Sequence, residues 1–366
     1  MGRRHASAAV LALIAACALA ATAGAARTLD IYFIDVEGGQ STLIVTPTGE
    51  SLLVDTGFPG PGGGFDGRPG DPKRARDAQR ILAAARTAGV KRIDNLLITH
   101  FHGDHDGGTA ELAQLMPIRT FIDHGSPAPD AEERVAGTVA LFDAYAAVRA
   151  KGHHLEPQPG DRLPLTGVDA LIVSSAGKTL TRATPGAGQA NAACGSIATP
   201  AQETTENPRS TGLLLTLGKF RFLDVGDLSG PPLFALVCPN NLVGQVEAYL
   251  VAHHGGVDAA DLSTFAAIRP RVAIVNNGAT KGGAPEMFAT LHRVQGLEDT
   301  WQLHRSTSGG AQNFADAQIA NLDETTGHWI KLAANADGSF TVTNGRTGGT
   351  KRYAARAGNP ARPTLR

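Results

Sequence analysis

From position 29 onward, apolar and polar residues fall into a regular rhythm. Residues 29–36 form an apolar run with the β-branched and aromatic content of a strand, and residues 41–46 and 51–54 repeat it after the turn signals Glu37-Gly38-Gly39 and Pro47-Thr48-Gly49-Glu50. Three short runs with tight breaks predict an antiparallel meander. It ends at Asp55-Thr56-Gly57, which delivers an acid at the C-terminal end of a strand. A loop rich in Gly and Pro, 58–70, leads to a predicted helix with Asp71 as N-cap, Pro72 in the first turn and Gly89 beyond the end. Residues 93–99 and 119–123 read as short buried strands, and 130–151 as one amphipathic helix capped by Asp130 and stopped by Gly152. Two short strand runs then end at Val173. Further on, strands are expected over 207–217, 220–226, 248–252 and 272–276, helices over 261–268 and 285–294, and a hairpin over 329–343 with its turn at 335–338. Residues 174–206, rich in Ala, Thr, Gly and Pro, carry no period. A stretch of that length is expected to serve as a flap over a site.

The residues before this rhythm have a different character. Arg3 and Arg4 precede an apolar run from Ala8 to Ala21, and the small residues Ala23-Gly24-Ala25-Ala26 follow. A basic start, an apolar centre and a small-residue end make residues 1–26 a secretory signal peptide, so the chain is expected to be exported, periplasmic or secreted. Ile14-Ala15-Ala16-Cys17 also resembles a lipoprotein box, which offers lipidation of Cys17 as the alternative. Composition narrows the classes further. With 42% hydrophobic and 18% charged residues in 366, the chain can bury a large core, which excludes a disordered chain and a small disulfide scaffold. Its formal net charge of −1 creates no field to draw it onto nucleic acid or anionic lipid, so the expected partner is a small-molecule substrate. No transmembrane segment is expected in the mature chain. Of three cysteines, export would leave Cys194 and Cys238, which either bridge and pin the flap or stay as buried thiols.

The strand at 93–99 is followed directly by His100-Phe101-His102-Gly103-Asp104-His105-Asp106. Histidines at i and i+2 on an extended segment point the same way, so both imidazoles can reach one cation, while Asp104 and His105 on the turn aim at a second point. Zinc accepts this mixture of nitrogen and carboxylate ligands. A zinc site with an open position activates water.

The sequence His100-x-His102-x-Asp104-His105 behind an apolar strand, with Asp55-Thr56-Gly57 upstream, resembles the metallo-β-lactamase superfamily. The resemblance implies a four-layer αβ/βα sandwich of the α/β class, spanning residues 27–310, with residues 311–366 as a C-terminal extension carrying the β-hairpin. It implies a metal-dependent hydrolase that uses a metal-bound hydroxide and two metal ions, zinc or alternatively manganese. Gly226-Asp227 at a strand end resembles the motif whose aspartate bridges the metals, and His253-His254-Gly255 resembles the motif supplying the last histidine of the second one. His253 is the expected ligand and His254 the alternative.

Within the superfamily, residues 34–41 and the phrase Asn207-Pro208-Arg209-Ser210 look like the hydrolase domain of bacterial DNA-uptake competence (ComEC-type) proteins. This favours a phosphodiester or related phosphate ester over a β-lactam or a lactone; a metal-binding protein without activity is a third possibility. The superfamily's third-motif histidine is missing before the 207–217 strand, so the first metal is left with His100, His102 and Asp227, and Asn207 or water fills in. Asp55 is expected to orient a liganding imidazole, and to be catalytic with Asp104 and Asp227 without touching metal. His124 is a substitute third ligand or, as favoured here, part of the pocket wall or the surface. His153, His154, His292, His304 and His328 are expected to be ordinary packing or surface residues, and Lys281 and Arg305 to be solvated in their loops.

Overall fold

The protein is described here by a computed structural model, which places residues 27–62, 67–308, 310 and 312–356. Residues 1–26, where a signal peptide is expected, and with them Cys17, lie outside the described residues. No helix among the described residues is long and apolar enough to cross a membrane.

The opening meander is β1 (Leu29–Phe33), β2 (Thr42–Val45) and β3 (Ser51–Val54), followed by the parallel strands β4 (Ile93–Leu97), β5 (Ile118–Ile122) and β6 (His153–Leu155). The second half repeats the plan. Antiparallel β7 (Asp169–Ser175), β8 (Lys178–Thr179), β9 (Gly212–Leu217) and β10 (Phe220–Asp224) give way to parallel β11 (Ala248–Leu250), β12 (Val272–Val275), β13 (Asp299–His304) and β14 (Ile319–Asn321). The expected hairpin is β15 (Ile330–Ala334) and β16 (Phe340–Asn344), and β17 (Thr350–Tyr353) follows it. β15 pairs antiparallel with β1, so the C-terminal strands continue the first sheet edge to edge. The two sheets run β17-β16-β15-β1-β2-β3-β4-β5-β6 and β14-β13-β12-β11-β10-β9-β7-β8.

Both sheets bury one face against each other. Leu29, Ile31, Phe33, Val54 and Leu97 from the first interleave with Ile172, Leu213, Leu215, Phe222 and Ile274 from the second, and the Phe33 and Phe222 rings meet edge to face at 5.7 Å. The outer faces are covered by helices. α1 (Arg76–Thr87), α2 (Thr109–Leu115), the short α3 (Ala131–Arg134) and α4 (Thr138–Arg149) fall in the first half; Ile81, Leu112 and Tyr145 cover the first sheet. α5 (Gly230–Val237), α6 (Leu262–Ile268) and α7 (Pro285–Leu291) cover the second through Leu236, Phe265 and Phe288. The result is the expected four-layer αβ/βα sandwich. Burying an aromatic or branched side chain in such a core contributes roughly 1.5–3 kcal/mol, which is why the apolar runs were legible as strands.

Two helix boundaries depart from the sequence expectation. Asp71 does not cap α1: its Oδ1 accepts from Lys73 N (3.0 Å) in a local turn, and the helix starts only at Arg76. Asp77 sits buried in its first turn and accepts from Phe58 N at 2.7 Å. The helix expected over 130–151 is interrupted at Gly137, whose φ of 91° no helical residue adopts, and Glu132 accepts from Gly137 N and Val139 N at the start of α4.

Candidate metal centre

The C-terminal ends of the parallel strands face one edge of the sandwich, where the sequence put its chemistry. β3 runs into Asp55, β4 into residues 99–105, β10 into Asp227 and β11 into His253 and His254. The backbone permits close approach of these segments. Gly226 has φ +57°, and a Cβ there would lie 2.8 Å from Thr99 Cβ; a Cβ on Gly39 would lie 2.5 Å from the Asp104 carbonyl oxygen.

Four buried side chains converge: Asp104, His105, Asp227 and His254 each offer a ligand atom, all within 4.8 Å of one another. His105 Nε2 lies 3.5 Å from Asp104 Oδ2, 3.2 Å from Asp227 Oδ2 and 3.3 Å from His254 Nε2. His254 Nε2 lies 3.2 Å from Asp104 Oδ2 and 3.1 Å from Asp227 Oδ2. Ligands about 2.0 Å from a tetrahedral ion stand about 3.3 Å apart, so these separations suit zinc. An orphaned polar atom fits a cation-binding role for the group, because Asp227 Oδ1 is buried without a hydrogen-bond partner. His254, rather than the favoured His253, therefore joins this group. Both histidines have left-handed backbone, so position at the strand end does not decide which ring enters the cluster.

Electrostatics fit the same reading. Burial alone would raise the Asp104 and Asp227 carboxyls, but Lys281 and His105 outweigh it at Asp104, and His105, His254 and His253 at Asp227, holding both well below the usual range. Burial opposes charge on His105, yet Asp227, Asp104 and Asp55 raise its pKa well above the ordinary value. The imidazolium charge stands where a metal's charge would stand. Asp55 Oδ2 lies 2.7 Å from His105 Nδ1, and the carboxylate also accepts from Thr99 N (2.7 Å) and Thr99 Oγ1 (2.8 Å). That fixes the ring with Nε2 aimed into the cluster.

The His100–His102 pair lies alongside. His100 Nε2 and His102 Nδ1 face each other at 2.9 Å, while His100 Nδ1 meets Thr99 Oγ1 at 3.1 Å. Burial, followed by the neighbouring His105 and His102, pushes His100 well below its ordinary pKa; burial also lowers His102. Both rings are thereby kept neutral, as ligation requires. Asn207 is buried with Oδ1 unpartnered, and its Nδ2 is 3.5 Å from His253 Nε2. His253 Nδ1 meets the Asp258 carboxylate at 2.7 and 2.9 Å; burial opposes its charge, but Asp227 and Asp258 raise it to about 9.

Several residues depart from their expected roles. His124 is neither exposed nor a simple wall residue: it is buried against Phe101 with ring centroids 4.5 Å apart, and Nε2 approaches Glu206 Oε2 at 3.1 Å without hydrogen-bond alignment. Lys281 is not free in its loop: it is part-buried, with Nζ 2.6 Å from both Asp104 Oδ2 and Gly38 O. His304 is fully buried with Nε2 3.1 Å from both Asp35 Oδ2 and Glu37 Oε2, and Arg80 meets the same two carboxylates. His154 likewise pairs with Asp123 at 2.9 Å. Arg305 sits in its exposed loop beside Asp316. Gln40 donates through Nε2 to both Asp224 oxygens (3.0 and 3.1 Å) and ties the two halves together beneath the site. The 174–206 segment is anchored by a Cys194–Cys238 disulfide and by Asn191 Nδ2 donating to Ser263 O (2.9 Å), and it runs into Asn207 at the centre.

Residues 34–182 match the family model of the Metallo-beta-lactamase superfamily. A hydroxyacylglutathione hydrolase of Rhodopseudomonas palustris (strain BisB5) is 30% identical over 106 residues, 29% of this chain and 33% of that protein. A lactamase-like protein of Pestalotiopsis microspora is 31% identical over 113 residues, 31% of this chain and 30% of that one. The chain thus spans about a third of the length of the curated relatives it matches. Among solved structures, the metallo-beta-lactamase fold protein YhfI of Bacillus subtilis aligns over 75% of this chain and 96% of that one, at 10% identity and a TM-score of 0.41. The family-model match over 34–182 runs from β2 through β8 and includes Asp55 and residues 100–105, and over this segment the chain is similar to the metallo-beta-lactamase superfamily.

Proposed function

We propose that the protein is an exported metal-dependent hydrolase acting on a phosphodiester or related phosphate ester. The observation that carries the hydrolase reading is the convergence of Asp104, His105, Asp227 and His254 on one point with tetrahedral spacing. These four would hold the tighter zinc or manganese ion. His100 and His102, with Asp227 shared and Asn207 beside them, would hold a second. When bound, the metals supply Lewis acidity toward the attacked centre and lower the pKa of water toward about 7.

The chain's own groups do the rest. Asp55 keeps the His105 ring in the tautomer that presents Nε2 to the cluster. Lys281, its ammonium held at the rim by Asp104 and the Gly38 carbonyl, contributes positive charge where an anionic phosphoryl oxygen would approach. The phosphate preference is further supported by the competence-type phrase Asn207-Pro208-Arg209-Ser210, whose Asn207 adjoins the centre and whose Ser210 Oγ lies 3.4 Å from His100 Nδ1. Export is supported by the N-terminal signal pattern and by the disulfide, which persists in oxidising compartments. The name of the Rhodopseudomonas relative favours a second reading, hydrolysis of an acyl thioester.

The test is to assay the purified mature chain with a chromogenic phosphodiester, an acyl thioester, a β-lactam and a lactone, with metal content measured in parallel. Turnover confined to the phosphodiester is the expected result. Turnover of the thioester alone would replace the substrate class, and zinc uptake without turnover of any of the four would overturn the hydrolase reading.

A further inference from the structure

At the opposite end of β10 from Asp227, a cavity of about 650 Å³ opens between the 186–193 stretch, the turn at 241–245 and the C-terminal end of α6. Its lining carries two arginines, Arg221 and Arg269, with the amide side chains of Gln189, Asn241 and Gln245, and no carboxylate among the described residues. Pockets for small organic ligands measure roughly 300–1,000 Å³, so the space admits more than a lone ion.

Arg221 is seated by the backbone around it. Nη1 donates to Gln245 O at 3.0 Å, and Nη2 donates to Val243 O at 2.7 Å and to Thr184 Oγ1 at 3.2 Å. None of these acceptors is a carboxylate, and the three contacts leave two of the guanidinium's five N–H donors unused. The turn is shaped to admit the group. Asn241, itself buried, accepts at Oδ1 from Val243 N (3.0 Å) and Gly244 N (2.7 Å), and its Nδ2 donates to Ala267 O (2.7 Å). Gly244 holds φ +87°, where a Cβ would lie 2.6 Å from Arg221 Nη1. The same turn fastens the far wall, because Gly188 N donates to Asn241 O (2.7 Å) and Asn241 N to Gln189 O (2.9 Å).

Charge in this corner is unbalanced. Glu247 acts on Arg221 through space, but its carboxylate is engaged by Arg221 N (3.0 Å) and Arg356 Nε (3.1 Å). Burial lowers the Arg221 pKa in spite of Glu247 and Asp169. Arg269, exposed at the left-handed C-cap of α6, makes no side-chain hydrogen bond or ion pair among the described residues. Arg356 brings a third guanidinium to the rim, with Nη2 2.8 Å from Arg269 O and Nη1 3.0 Å from Gln245 Oε1. Guanidiniums gathered without matching carboxylates favour an anion from outside. A carboxylate would be satisfied by one guanidinium fork, whereas a phosphoryl group, with three acceptor oxygens and a charge near −2, matches two.

We infer that this pocket binds a small phosphate monoester, with Arg221 and Arg269 holding the phosphoryl oxygens and the amide-lined remainder receiving the organic part. The site lies apart from the metal centre, and nothing in its construction depends on a metal.

The test is isothermal titration of the full-length protein with ribose 5-phosphate, inorganic phosphate and ribose at matched ionic strength. It runs on wild type, on Asp227→Ala, which disables the metal centre, and on Asp227→Ala combined with Arg221→Gln or with Arg269→Gln, each checked by circular dichroism. Wild type and Asp227→Ala are expected to bind the ester at millimolar affinity or better, free phosphate more weakly, and ribose not at all. Either added arginine substitution is expected to weaken the ester about 10-fold or more. Should Arg221→Gln unfold the turn, Arg269→Gln, at an exposed position, still decides. Loss of ester binding in Asp227→Ala would overturn the proposal by placing the ester at the metal centre. Undiminished binding in the combined variants, binding of ribose as tight as the ester, or free phosphate as tight as the ester would overturn it as well.

Discussion

Replacing His304 with glutamine should remove a pH-dependent share of the protein's stability, by an amount the structure allows to be worked out. The ring is fully buried between Asp35 and Glu37. Burial opposes its charge, but the hydrogen bonds that Asp35 and Glu37 accept from the ring, together with their negative charge, outweigh burial and raise its pKa from 6.5 to about 9. At about 1.4 kcal/mol per pKa unit, this shift is worth about 3 kcal/mol to the folded state. Because the folded-state pKa is the higher one, the contribution is complete below about 6.5, declines as pH rises, and is gone above about 9. Urea unfolding of wild type and His304→Gln, both in chelator so that metal plays no part, should be measured at pH 6 and at pH 9.5. Wild type should lose about 3 kcal/mol more than the variant across that interval. Parallel pH profiles for the two proteins would refute the reasoning, because they would mean that the imidazole carries no folded-state charge.

Three further outcomes are expected. In zinc titrations, His105→Ala should lose the tighter equivalent and His102→Ala should retain it, because the group containing His105 is the more fully assembled; elemental analysis checks this. Asp227→Ala should abolish turnover while leaving the circular dichroism spectrum folded, whereas Asp55→Ala, which removes only the orienting partner of His105, should cost about 10- to 100-fold in kcat/KM. Thiol titration of the denatured, unreduced mature chain should find no free thiol. Breaking the bridge with Cys238→Ser should cost about 4 kcal/mol of stability for a sequence separation of 44, measured by denaturant unfolding.

The parts of the centre that were legible in the sequence are those in which one local period decides the outcome. The i, i+2 spacing of His100 and His102 after a buried strand, and an acid at the end of β3, place side chains on one edge whatever the rest of the chain does. The layers followed from apolar runs for the same reason. What could not be read is set by backbone or by distant partners. Which of His253 and His254 enters the cluster depends on two left-handed residues beyond the strand end, which no local sequence period reveals. His304 looked ordinary because its partners lie 269 and 267 residues away, while the acids near it in the sequence, Glu298 and Asp299, are not the ones it meets. Lys281 in a loop rich in Gly looked solvated, yet Gly278 and Gly282 let the loop close against Glu37 and His254, which brings its ammonium to Asp104. The two helix errors also have local causes: an Asp-Pro turn imitates an N-cap at Asp71, and a glycine with positive φ divides the amphipathic stretch at Gly137.

The central claim, that Asp104, His105, Asp227 and His254 together hold a metal ion, is tested most directly by the tight zinc equivalent in His254→Ala. Zinc competition against a chromogenic chelator should show that equivalent lost, or weakened beyond detection, while the protein remains folded by circular dichroism. A folded His254→Ala protein that still binds its first zinc as tightly as wild type would contradict the account.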